Sequence, residues 1–76
     1  MENDYSILLV DSDEAFATML RESLEENGEY HVTVTADGNE ALRMVTDTKF
    51  DLAVVDLGLT NPDGAAVART LRQQQA

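Results

Sequence analysis

The chain has no cysteine. Disulfides and thiolate metal sites are therefore excluded, which fits a reducing compartment. One histidine, His31, is too few for a catalytic histidine pair. Positive charge is scarce: 5 Lys and Arg stand against 15 Asp and Glu, a formal net charge of -10. A surface of that sign repels nucleic-acid phosphates and anionic lipid and attracts cations or a basic partner patch. It serves solubility equally well. There is no basic patch or aromatic platform for nucleic acid. No apolar run approaches the roughly 20 residues that a membrane helix needs. The start, Met1-Glu2-Asn3-Asp4, lacks the basic segment of a secretory signal. The expectation is a cytoplasmic chain with no membrane and no nucleic-acid partner for this segment.

What is present suffices for one small domain. The 76 residues are 43% hydrophobic, which favours folding over disorder. So short a chain buries a modest core and is marginally stable without help from a metal or a partner.

Three strand-then-helix units follow one another. Ser6-Ile7-Leu8-Leu9-Val10 is a continuous apolar run, the pattern of a strand buried on both faces of a parallel sheet. It stops at Asp11-Ser12-Asp13-Glu14, where Asp11 and Glu14 have the spacing of a variant capping box. The spacing of Phe16, Leu20 and Leu24, with Met19 beside them, predicts a helix to about Asn27 with Asn27-Gly28 as its stop. Glu22, Glu25 and Glu26 form its solvated face. From Tyr30 to Thr35 the pattern alternates, with Tyr30, Val32 and Val34 on one side and His31, Thr33 and Thr35 on the other. That predicts an edge strand with His31 at the surface.

Ala36-Asp37-Gly38 is a turn, and Asn39 can cap a second helix from Glu40 to Thr46 with Ala41, Leu42 and Val45 inward and Met44 as packing. Lys49-Phe50-Asp51 leads into a second continuous apolar run, Leu52-Ala53-Val54-Val55, which ends at Asp56. A turn-rich segment runs from Leu57 to Gly64, with Asp63 as a cap. The last helix spans about Ala65 to Gln73, with Val67, Ala68 and Leu71 inward and the final glutamines fraying. Strands alternating with helices imply an α/β fold with a parallel sheet and right-handed crossovers.

In such a sheet ligands bind beyond the carboxyl ends of the strands, where the strand order reverses. Two apolar strands end there in carboxylates, Asp11 and Asp56. Asp11 reads equally well as a helix cap. Asp56 follows an apolar run directly and precedes Leu57, so burial is expected, and a carboxylate there is costly unless paired or metal-bound.

Three segments carry a family resemblance: Ile7-Leu8-Leu9-Val10-Asp11-Ser12-Asp13, Ala36-Asp37-Gly38-Asn39-Glu40-Ala41-Leu42, and Phe50 to Leu59 followed by Asp63-Gly64. In this order and spacing the chain, residues 1–76, resembles the N-terminal three βα units of the response-regulator receiver domains of two-component signalling. The resemblance implies a flavodoxin-like sheet of strand order 2-1-3, the start of the order that the chemotaxis regulator exemplifies. Asp11 and Asp56 would then face each other across the crevice, and Mg²⁺ would relieve their repulsion. It further implies that Asp56 is the phospho-acceptor, fed from a phosphohistidine on a sensor histidine kinase. Asp11, Asp56 and the carbonyl of Gly58 would hold the metal. Such a module is usually classed as a signalling domain rather than an enzyme.

The chain departs from that pattern twice. The family's second acid after strand one is Ser12 here, a poorer Mg²⁺ ligand, with Asp13 either compensating or belonging to the first helical turn. The family also has five units. The switch Thr or Ser and the Lys of the later strands have no counterpart, since Thr60 and Lys49 stand elsewhere. A fragment or an unusual short form is therefore expected. It would leave a bare apolar edge near Leu52 to Val55 that invites self-association, or else a poorly folded monomer. Two other functions compete. A pseudo-receiver would bind a partner without being phosphorylated. An aspartate-nucleophile phosphatase would need an acid two residues after Asp56, where Gly58 stands.

Overall fold

The computed structural model describes residues 4–26, 28–59 and 62–75. Its elements run β1 (Tyr5–Val10), α1 (Glu14–Glu25), β2 (Tyr30–Thr35), α2 (Gly38–Asp47), β3 (Leu52–Val55) and α3 (Gly64–Gln75). The strands form one parallel sheet of order β2-β1-β3. The α/β fold and the 2-1-3 order are therefore as expected.

Strand alternation explains the layers. On β1, Ile7 and Leu9 face one side with Ala17 and Val32, against which Leu20, Leu24, Tyr30 and Val34 pack. Leu8 and Val10 face the other side with Ala41, Val45, Phe50, Leu59, Val67 and Leu71. So α1 covers one face of the sheet over β1 and β2, and the opposite face is covered by α2 over β1 and β2 and by α3 over β3. This double burial is what the continuous apolar run of β1 encodes.

Several boundaries and faces differ from the sequence reading. Asp13, rather than Asp11, caps α1 by accepting the Phe16 N–H at 3.1 Å. The helix therefore starts later, and its inward line is the buried Ala17 with the partly buried Leu20 and Leu24. Phe16 and Met19 turn outward, 43% and 58% exposed. Glu25 is exposed but not merely solvated, since its carboxylate accepts the Val32 N–H at 2.9 Å. The helix ends at Glu25, and Gly28 takes a φ of +81°, as a glycine stop should. Asn27 lies outside the described residues.

Asp37, rather than Asn39, caps α2, accepting the Asn39 N–H at 2.9 Å. Thr35 breaks the alternation of β2 and is buried. Its hydroxyl donates to the Glu40 carboxylate and accepts the Asp37 N–H, so the polar side chain is satisfied where the strand meets α2. The last helix continues to Gln75, two residues beyond the expected end.

The largest difference is at β3. Its apolar run is not buried on both faces: Leu52 is 55% and Val54 36% exposed. In register these residues pair with Ile7 and Leu9, on the α1 side of the sheet. That helix packs on β1 and β2 and does not reach β3.

Candidate functional site

The strand register brings the two acidic tips together. Val10 pairs with Val55, so Asp11 and Asp56 are the next residues on adjacent parallel strands. The Asp56 N–H donates to the Val10 carbonyl at 2.8 Å, and the Asp11 N–H donates to the Thr35 carbonyl at 3.0 Å. Both side chains are half-buried. Leu57 points outward and is 72% exposed, contrary to the expectation that it buries its neighbour; Leu59 is the residue that enters the core.

Each carboxylate is oriented by one local bond. Asp11 Oδ1 accepts the Asp13 N–H, and Asp56 Oδ1 accepts the Gly58 N–H, both at 2.8 Å. These bonds curl the chain back over the strand tips in Asx turns. They leave the second oxygen of each carboxylate without a hydrogen bond among the described residues. Beside the tips lies a cleft of about 260 Å³ lined by Ser12, Ala36, Asp37, Gly38, Gly58, Leu59 and Pro62. Its walls come from all three strand-to-helix loops.

The other residues weighed in the sequence fall elsewhere. Asp13 is occupied as a cap. Asp63 caps α3 as expected, accepting the Ala66 N–H at 2.8 Å. Lys49 precedes β3, at the end of the strand away from Asp56. His31 is at the surface near Asp4, with Nε2 3.5 Å from Oδ1. Thr60 lies outside the described residues. Gly64 entered the sequence reading only as part of a turn and helix entry, and its contact with Asp56 escaped it. A Cβ there would meet the Asp56 carbonyl oxygen at 2.2 Å. The only signal was a glycine directly after a capping aspartate.

Comparison with known proteins decides the family. Residues 7–76 match the response regulator receiver domain. The chain belongs to that family. The receiver segment is 44% identical over 69 residues to the alkaline phosphatase synthesis transcriptional regulatory protein PhoP of Bacillus subtilis (strain 168), covering 91% of this chain and 28% of that protein. It is 42% identical over 66 residues to the response regulator MprA of Mycolicibacterium vanbaalenii, covering 87% and 28%. The chain thus spans 28% of the length of these curated relatives.

Two solved structures superpose closely. One, a response regulator from Burkholderia pseudomallei with a phosphorylated aspartic acid, calcium ion and citrate, gives a TM-score of 0.85 at 35% identity, covering 95% of this chain and 42% of that one. The other is the receiver domain of the sensor histidine kinase PA1611 from Pseudomonas aeruginosa PAO1, with a magnesium ion in its active-site cleft. It gives 0.83 at 32% identity, covering 95% and 58%. No helix among the described residues is long and apolar enough to cross a membrane.

The donor set at the receiver's strand tips suits a hard cation. Among the described residues no cluster of three or more His, Cys, Asp or Glu side chains is placed to hold a metal. What the tips offer is two carboxylates on adjacent strands. Both are oxygen donors, and Mg²⁺ takes few protein ligands while keeping several waters.

Proposed function

We propose that this receiver domain accepts a phosphoryl group on Asp56 from a phosphohistidine of a sensor histidine kinase. The observation that carries the reading is the Val10–Val55 register, which sets Asp11 and Asp56 side by side at the open end of the sheet. The Gly58 N–H fixes Oδ1 of Asp56, so Oδ2 is the oxygen left to attack phosphorus. In that step an O–P bond forms and the P–N bond to histidine breaks, its electron pair leaving with the imidazole. The product is an aspartyl phosphate.

Asp11, Asp56 and the Gly58 carbonyl would hold Mg²⁺. When bound, the ion supplies charge neutralisation for the carboxylates and the phosphoryl oxygens. Asp11 is set by the Asp13 N–H so that its remaining oxygen is available for that role. The metal and phosphorylated aspartate in the two solved relatives support this assignment. We place the domain in the cytoplasm, as a signalling module and not a classical enzyme.

The uncovered side chains of Leu52 and Val54 support self-association along β3, because an apolar strand edge is a ready template for pairing. Concentration-dependent sedimentation would bear this out, and a cooperatively folded monomer at all concentrations would count against it.

A second reading has one specific observation behind it. Ser12 lines the cleft where the family places a second acid, so metal affinity is weakened and the fold could serve as a pseudo-receiver. Labelling with acetyl phosphate separates the two. Mg²⁺-dependent labelling that disappears in Asp56→Asn supports the acceptor. Absence of labelling at saturating Mg²⁺ supports the pseudo-receiver.

A further inference from the structure

Gly64 is not explained by its own local structure. It opens α3 and is buried, and its φ lies outside the left-handed region, which Gly28 alone enters among the described glycines. Glycine brings no conformational advantage there, and relative to alanine it loses more freedom on folding. What the position lacks is room. A Cβ on Gly64 would stand 2.2 Å from the Asp56 carbonyl oxygen, 2.6 Å from the Leu57 Cα and 2.9 Å from the Asp56 carbonyl carbon. All three are main-chain atoms, so no side-chain rotation relieves the contact.

The helix cannot easily retreat. One turn on, Val67 is fully buried, and its Cγ2 would lie 2.8 Å from a Cβ on Gly38 at the start of α2. Asp63 also anchors this first turn, its carboxylate to the Ala66 N–H and its carbonyl to the Val67 N–H. A Cβ at Gly64 would therefore press on the Asp56–Leu57 backbone, whose own ties are the Asp56 N–H to the Val10 carbonyl at 2.8 Å and the Leu59 N–H to the Asp56 carbonyl at 3.2 Å.

We propose that Gly64 is a positioning residue for phosphoryl acceptance. Its bare Cα seats the main chain of Asp56 and Leu57 against α3 and so sets where the Asp56 carboxylate stands. The inference rests on the reading of Asp56 as acceptor. Widening the closest approach from 2.2 Å to ordinary contact at 3.4 Å moves that backbone by about 1 Å, and a misplacement of about that size can lower a rate by roughly 100-fold.

The test compares Gly64→Ala with Gly28→Ala in the full chain. Gly28 has a φ of +81° in the turn before β2, at the other end of the strands, so alanine there strains the fold without touching Asp56. Both variants should melt earlier. Only Gly64→Ala should shift the NMR resonance of the Gly58 amide, which reports the bond to Asp56 Oδ1 and needs no phosphorylation. It should also lower the maximal rate with acetyl phosphate by roughly 100-fold, with the half-saturating donor concentration little changed. An unmoved Gly58 amide and a rate equal to that of Gly28→Ala would overturn the proposal.

If the unaltered chain takes no label, the acceptor reading fails, while the Gly58 amide still decides whether Gly64 seats Asp56. If Gly64→Ala does not fold, hydrogen exchange in the unaltered chain decides. Gly58 and Leu59 amides that open together with those of Ala66 and Val67 support the seating. Separate opening overturns it.

Discussion

Replacing Asp56 by Asn should stabilise the receiver domain when divalent cations are absent. The substitution keeps an oxygen that can accept the Gly58 N–H, so the Asx turn survives. What it removes is a negative charge beside that of Asp11. The two residues follow the paired Val10 and Val55, and adjacent strands lie about 4.8 Å apart, so their charges stand roughly 6 Å apart. Coulomb's law then gives about 0.7 kcal/mol in bulk water and about 3 kcal/mol at an effective dielectric constant of 20. Both groups are only half-buried, so a gain of about 1 kcal/mol is expected. For a domain of this size that raises Tm by about 4–8 °C.

Mg²⁺ should reverse that ranking. At ten times its Kd it stabilises the unaltered chain by about 1.4 kcal/mol and should do far less for Asp56→Asn. Thermal denaturation followed by circular dichroism, in chelator and in a Mg²⁺ series, measures both. An Asp56→Asn chain that melts no later in chelator and responds to Mg²⁺ like the unaltered chain would refute the shared-ion reasoning.

The other substitutions probe the site and its support. Ser12→Asp adds a third carboxylate donor beside the cleft and should raise Mg²⁺ affinity about tenfold or more in calorimetric titration; unchanged affinity would remove Ser12 from the account. Leu8→Ala empties a fully buried position on the central strand and should cost about 2–5 kcal/mol in urea unfolding, enough to unfold much of the population. Asp13→Ala removes the α1 cap and should cost about 1 kcal/mol in the same assay, with Mg²⁺ affinity unchanged because Asp13 is assigned to the helix.

The order and type of the elements were legible because each rests on a short-range pattern. The continuous apolar run of β1 encodes burial on both faces, and Leu8 and Val10 do pack opposite to Ile7 and Leu9. Caps were harder to place. Asp11, Ser12 and Asp13 are all good capping residues, and only the three-dimensional turn decides that Asp11 takes the Asp13 N–H while Asp13 takes that of Phe16. Phe16 and Met19, read with Leu20 and Leu24 as one apolar stripe, face outward while those two leucines face the core.

The β3 run could not reveal its own exposure, because burial depends on what lies over a strand and α1 stops short of it. At the site, the pairing of Asp11 with Asp56 followed from the strand order, which came from resemblance and not from periodicity. The close approach of Gly64 to Asp56 spans eight positions of sequence, and the local Asp63-Gly64 pattern signals a helix entry but not that contact. Tertiary proximity of this kind is legible only in coordinates.

The central claim, that two strand-tip carboxylates and a neighbouring carbonyl share one divalent cation, is tested most directly by titrating the ¹⁵N-labelled chain with Mg²⁺. Saturable shifts should concentrate on the amides of Asp11, Ser12, Asp13, Asp56, Leu57, Gly58 and Leu59 and should vanish in Asp56→Asn. Shifts spread over the acidic face of α1, or unchanged by that substitution, would contradict it.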